Sequence, residues 1–276
     1  MSGRAMLTPR LSKLGPVALV TGASDGIGRA TAEALAREGF DLIVTARREP
    51  ALQALAERLR RDTGVSVDVV PADLGSSAGV DTLLSALSTR DVGVAVLAAG
   101  FGSAGAFAKG DIATKQTMLA LNCGAVLTLT HALSARMIAR GAGQIVLFGS
   151  IVGFQGNGGS AHYSATKAWV QTLAEGLAIE LRPQGVHVLS VAPGPVATGF
   201  GARAGMRMGS AETPETIATG VVRALGRSGT IRPGRLSKLL GWSLATTPRF
   251  LRVRIMTGII TGMAAGAGAK GGAHAG

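Results

Sequence analysis

VALVTGASDGIGRATAEALAREG, residues 17–39, is a short apolar run, then a glycine-rich turn, then a helical pattern. Gly22, Gly26 and Gly28 fall between the strand and the helix in the spacing G-x3-G-x-G. Glycines there permit a tight turn and bring the backbone close to a pyrophosphate, whose charge rests on the helix N-terminus. Such a turn is weak evidence alone. After the first strand of a parallel sheet it points strongly to a dinucleotide.

The rest of the chain supplies that sheet. DLIVTA (41–46), VSVDVV (65–70), VGVAVLAAG (92–100), QIVLFGS (144–150) and VHVLSVAPG (186–194) read as further strands, nearly uniform in apolar character. Between them lie helical patterns over 50–64, 77–90, about 112–140 and about 161–182. Pro50 opens the first of these and Gly64 closes it, as helix ends prefer. Uniform apolar strands alternating with helices predict an α/β fold, a doubly wound parallel sheet covered on both faces.

At 276 residues the chain suits one large α/β domain or two small ones. With 47% hydrophobic residues but 4% aromatics, its core must be built from Ala, Val, Leu and Ile. One cysteine, Cys123, excludes an intramolecular disulfide framework and fits a reducing compartment. The first residues contain no apolar run long enough for a signal peptide, so a cytoplasmic location is expected. The net charge of +12 is unevenly placed. Residues 21–202 hold 14 bases and 14 acids, whereas residues 203–276 hold eleven bases against Glu212 and Glu215. A neutral body carries basic material at its ends.

The end of the second strand is where a dinucleotide's adenosine ribose is read. An acid there binds the 2′-hydroxyl and repels a 2′-phosphate, and arginine does the reverse. Here the residues are Ala46, Arg47 and Arg48, which favours NADP(H).

AHYSATKAW (161–169) contains Tyr163, the sole tyrosine of the chain, with Lys167 four residues later. On a helix this step stacks the two on one face. An ammonium beside a phenol favours the phenolate, so a lowered Tyr163 pKa and proton transfer near neutral pH are expected.

Together these features resemble the short-chain dehydrogenase/reductase family. The resemblance rests on TGASDGIG (21–28), Asp73-Leu74, Asn122, Ser150, YSATK (163–167) and PGPVAT (193–198), in the family's order, and covers about residues 15–200. It implies a Rossmann fold and hydride transfer between a nicotinamide and a carbonyl or alcohol. By the same resemblance Tyr163 is the general acid for reduction, and Lys167 lowers its pKa and holds the nicotinamide ribose. Ser150 hydrogen-bonds the substrate oxygen as charge develops there, and Asn122 holds a water that completes a proton relay. Gly22, Ser24, Asp25, Gly26, Ile27 and Gly28 would surround the cofactor phosphates, and Asp73 and Leu74 would meet the adenine. Pro193, Gly194, Val196 and Thr198 would meet the carboxamide.

Two departures stand out. The family's Asn-Asn-Ala-Gly run is replaced by Leu97-Ala98-Ala99-Gly100, so Ala99 and Gly100 would meet the cofactor by backbone and the asparagine side-chain bonds must be replaced or forgone. Asp25 stands where many NADP members carry a base, which leaves Arg47 as the main determinant. His131, His162 and His187 read as structural or surface residues, Cys123 as a small core residue, and no metal site is read.

GFGARAGMRMGSAE (199–212) would form a substrate lid. Phe101, Ile151, Val152, Phe154, Phe200 and Met206 are candidates for an apolar pocket, and Arg203 and Arg207 for an acidic substrate group. Residues 1–235 are expected to form the catalytic domain, residues 236–263 a basic, apolar helical extension, and residues 264–276 a tail too poor in bulky groups to pack. The extension is expected to pack on the body beside the substrate entrance. The alternative is that it lies on an anionic membrane surface. Nucleic acid is not expected, since no recognised motif accompanies the charge. The function expected is NADPH-dependent reduction of an apolar ketone, a steroid-like compound or a 3-oxoacyl thioester, in a homodimer or homotetramer. Two alternatives are an NADP-linked alcohol, steroid or sugar dehydrogenase working toward oxidation, and an NADP(H)-sensing module that binds a membrane or partner.

Overall fold

The computed structural model describes residues 6–206 and 211–268. Seven strands form one sheet: β1 (Val17–Thr21), β2 (Asp41–Ala46), β3 (Val67–Pro71), β4 (Val92–Leu97), β5 (Gly143–Phe148), β6 (Val186–Val191) and β7 (Gly229–Ile231). All neighbours pair in parallel, in the order β3-β2-β1-β4-β5-β6-β7. Each crossover therefore needs a helix, and the central strands are covered on both faces. Every residue of β1, β4 and β5 is buried accordingly.

The helices divide between the faces. After a short turn, α1 (Pro9–Ser12), come α2 (Gly26–Arg37) and α3 (Glu49–Thr63). With α9 (Pro214–Ala224) they cover one face, where Leu35, Leu52, Leu55, Ile217 and Val221 pack. On the other face lie α4 (Ser77–Leu87), α5 (Ile112–Leu119), α6 (Val126–Arg140) and α7 (Ala161–Glu180). Leu83, Leu129, Leu133, Val170 and Ala174 fill that second core. The run 112–140 is long and apolar enough to cross a membrane, but Leu129, Leu133 and Met137 are almost fully buried against the sheet, which makes it a core helix.

A short helix, α8 (Gly199–Arg203), follows β6, and α10 (Arg235–Thr246) and α11 (Arg249–Gly268) follow β7. Leu244, Met256 and Ile260 bury themselves with Ile151, Val152, Ala204 and Met206 in a third apolar cluster. The 236–263 segment thus forms two helices packed beside the end of the sheet.

Several expectations need correction. The 92–100 strand stops at Leu97, and β5 and β6 stop at Phe148 and Val191, because their last residues turn away to line the cleft described below. The 112–140 helix contains one π turn, Ala120–Ala125. The expected tail begins too early: residues 264–268 continue α11, as alanine-rich sequence can. Residues 269–276 lie outside the described residues, as do residues 207–210 of the expected lid, including Arg207. The lid's ends are closed by a bridge between Val196 and Glu212.

Candidate active site

A cleft of about 860 Å3 opens at the carboxyl ends of the strands, where the strand order reverses beside β1. Its floor is the glycine loop. Gly26 has φ +53°, and a Cβ on Gly28 would lie 2.3 Å from the Gly22 carbonyl oxygen, so the turn closes only without side chains there. Asp25 caps α2, accepting the Gly26 N–H at 2.7 Å. The helix N-terminus at the cleft floor, where Gly26, Ile27 and Gly28 line the cleft, suits a phosphate group.

Asp25, which stands where many NADP members carry a base, has a basic partner of its own. The Arg203 guanidinium, 178 residues away in α8, donates to its Oδ2 at 3.1 Å. Burial pushes the Asp25 carboxyl up. The hydrogen bonds from Arg203 and Gly26 and the charges of Arg203 and Arg48 outweigh it, and hold the pKa below the ordinary value. Arg203 is therefore engaged with the glycine loop, where its charge opposes that of Asp25. The two arginines after β2 differ. Arg48 donates to the Ser24 carbonyl at 3.0 Å and reaches its hydroxyl at 3.3 Å. Arg47 is exposed on the cleft wall and makes no ion pair with another described residue. Asp73 and Leu74 also line the cleft, Asp73 accepting the Gly75 N–H at 3.0 Å and Leu74 buried beneath it.

The segment without asparagines is held by other residues. The Ala99 N–H donates to Thr21 Oγ1 at 2.9 Å. The Asn122 carboxamide clamps Phe101, accepting its N–H at 3.1 Å and donating to its carbonyl at 2.9 Å. Its Nδ2 also donates to Thr166 Oγ1 in α7 at 3.1 Å. Asn122 sits in the π turn, a distortion frequent at functional sites. A Cβ on Gly100 would lie 3.0 Å from Asn122 Oδ1 and 3.6 Å from Lys167 Nζ, so these two groups converge on its bare backbone.

Ser150 follows β5, and its hydroxyl accepts the Val152 N–H at 3.3 Å. Tyr163 and Lys167 lie one turn apart on α7, the Lys167 ammonium 5.8 Å from the Tyr163 ring centre. The buried Lys167 donates to the Phe148 carbonyl at 2.8 Å. The expected lowering of the Tyr163 pKa is not what this geometry gives. Burial pushes the phenol well above its ordinary value, and a hydrogen bond with Ser150 only partly opposes it. Burial also pushes the Lys167 ammonium down to about 8. Desolvation is the largest cause of both shifts.

On the facing wall, the Pro193 carbonyl accepts the Ile151 N–H at 3.1 Å, and Thr198 caps α8 by accepting the Phe200 N–H at 3.2 Å. The Gly194 N–H donates to Ser237 Oγ at 2.8 Å. Ser237, in α10, is fully buried and was not anticipated. It ties the C-terminal helices to the 193–198 loop.

The inner end of the cleft is apolar. Phe101, Ile151, Val152, Phe200 and Met206 line it as expected. Phe154 does not: its ring stacks under the Arg232 guanidinium, 4.6 Å away. Missed by sequence were Leu240, Met256, Ile260 and Met263, which complete the wall from α10 and α11. Phe200 lies against Tyr163, ring centres 5.6 Å apart. His162 Nε2 bonds the Lys115 carbonyl at 2.8 Å and His187 Nδ1 the Ser228 hydroxyl at 3.3 Å, both structural contacts. Burial pushes the Cys123 thiol up to about 11, which suits a packing residue rather than a nucleophile.

The model of the short chain dehydrogenase family matches residues 16–207. A 7beta-hydroxysteroid dehydrogenase of Clostridium sardiniense is 32% identical over 186 residues, 67% of this chain and 71% of that protein. The structure is similar to that of a short-chain dehydrogenase from Sphingobium yanoikuyae in complex with NADPH, with a TM-score of 0.77 and 31% identity. That match covers 85% of this chain and 97% of the other. A bulky-bulky ketone specific alcohol dehydrogenase from Comamonas testosteroni matches with a TM-score of 0.73 and 31% identity, over 85% of this chain and 95% of the other.

Proposed function

The chain belongs to the short-chain dehydrogenase family and is an oxidoreductase, and we propose that it reduces a bulky, apolar ketone to the alcohol with NADPH. The observation that carries this reading is the meeting of Ser150, Tyr163 and Lys167 at the apolar end of a cleft whose other end is a phosphate-fitting glycine loop. Bound NADPH supplies the hydride to the carbonyl carbon.

The protein's own residues do the rest. Gly22, Gly26 and Gly28 leave space for a pyrophosphate, and Arg47, which makes no ion pair with another described residue, would meet the 2′-phosphate. Ser150 donates a hydrogen bond to the substrate oxygen. Tyr163 gives that oxygen its proton as negative charge develops on it. With its pKa above the ordinary value, Tyr163 is protonated at neutral pH and can begin as the acid. Lys167, charged below about pH 8, backs Tyr163 and would hold the nicotinamide ribose. Asn122 acts at one remove, fixing the Phe101 backbone against α7.

The apolar wall from Ile151, Val152, Met206, Met256 and Ile260 supports a large hydrophobic substrate and excludes water from the reacting carbonyl. The steroid and bulky-ketone enzymes among the relatives fit the same class. We further propose a cytoplasmic homodimer or homotetramer, paired through the outer faces of α6 and α7, where Leu127, Trp169 and Ile179 are exposed. The test is NADPH consumption with ketones graded in size and with 3-oxoacyl thioesters. Turnover should rise with apolar bulk, and absence of turnover across the whole series would reject the reading.

A further inference from the structure

One helix forms both a wall of the apolar chamber and a stretch of the protein's surface. Met256 and Ile260 of α11 turn inward and are 2% and 5% exposed. Leu251, Ile255 and Ile259, at four-residue steps, form a stripe on the outer side that is 39%, 47% and 38% exposed. Ile259 belongs to both surfaces, since it also lines the chamber. The stripe therefore leads to the chamber's rim. Leu239 and Trp242 on α10 and Phe250 on α11 are still more exposed. Six large apolar side chains within residues 239–259 exceed the scattered singles of an ordinary surface.

The charges among them have one sign. Arg235, Lys238, Arg249 and Arg254 are exposed on the same two helices, and no acid occurs after Glu215. A second copy of the chain presenting this face would set base against base. An anionic bilayer matches both features: tryptophan, phenylalanine and aliphatic groups enter the headgroup–acyl boundary while the bases meet lipid phosphates. We propose that α10 and α11 dock on an anionic membrane surface and that the apolar chamber opens at this docked face. That the bilayer also delivers the ketone rests on the reductase reading, whereas the docking does not.

The test uses the full chain, sedimented with vesicles of phosphatidylcholine alone or equimolar with phosphatidylglycerol. Binding should require the anionic lipid and weaken steeply as salt is raised. Lys238→Ala with Arg254→Ala should weaken it roughly thirtyfold. Trp242→Ser with Phe250→Ser should weaken it by at least about tenfold. NADPH affinity and melting temperature should remain as in the wild type, because these residues are exposed and do not line the cleft. Equal binding to both vesicles, no binding, or indifference to the substitutions overturns the proposal. Self-association abolished by Trp242→Ser with Phe250→Ser, without vesicle binding, would also overturn it and assign the face to a second copy.

Discussion

β1 and α11 are both largely apolar, and they spend that character differently. All five residues of β1 are buried, because a parallel strand in mid-sheet has a helical layer above and below it. In α11 the buried Met256 and Ile260 alternate with the exposed Leu251, Ile255 and Ile259. An apolar run in such a strand has one possible destination. An apolar helix studded with arginines has two, and its contacts decide which residues take which. The neutral body and the basic C-terminal helices differ in the same sense: one carries the glycine loop, Tyr163 and Lys167, and the other closes the chamber while facing outward.

That contrast is broken most severely at the proton donor. Tyr163→Phe keeps the ring packed against Phe200 and removes only the hydroxyl. Turnover should fall by about a thousandfold with NADPH affinity nearly unchanged, measured by steady-state rates and fluorescence titration. Activity within tenfold of wild type would remove Tyr163 from its role.

The two regions should respond differently to the same substitution. Leu19 in β1 is fully buried, and Leu239 in α10 is 62% exposed. Leu19→Ala should cost about 2–5 kcal/mol of stability, whereas Leu239→Ala should stay within about 0.5 kcal/mol, by chemical denaturation. Equal costs would mean that the outer face of α10 is covered.

Arg47→Ala should weaken NADPH by roughly ten- to a hundredfold, the worth of a charge-assisted contact of about 1.5–3 kcal/mol. NADH should be little affected. Adding Ala46→Asp should invert the preference, because the new carboxylate can hold a 2′-hydroxyl and repel a phosphate. A wild type that binds both cofactors equally would refute this use of the β2 terminus.

The smallest effect concerns pH. Lys167 is charged below about 8 and loses its charge above it. NADPH binding should therefore be strongest below that pH and weaken by up to about tenfold as pH rises through it. Titrations of Lys167→Ala should show no such step. A step of equal size in the variant would assign the titration to another group.

Legibility followed the length scale of the interaction. The glycine loop, Tyr163 and Lys167 are local patterns, and their strand and helix neighbours are periodic, so both appear in the sequence. β7 is three residues with no apolar run, and it passed unread. The same is true of α9, although Thr213 caps it and Pro214 opens it. The Asp25–Arg203 and Gly194–Ser237 contacts join residues far apart in sequence and leave no local trace. The Tyr163 pKa was misjudged because spacing reveals a neighbouring charge, while burial depends on the whole fold. The inward and outward faces of α11 needed the chamber itself to tell them apart.

The proposed reaction is hydride transfer to a ketone with Tyr163 as the proton donor. Its most direct test is reduction of a bulky cyclic ketone with NADPH carrying deuterium at its reactive carbon, the product alcohol being analysed by mass spectrometry. The wild type should place deuterium on the carbinol carbon, and Tyr163→Phe should yield no labelled alcohol above background in the same time. Unlabelled alcohol, or none from any ketone tried with the wild type, would contradict the account.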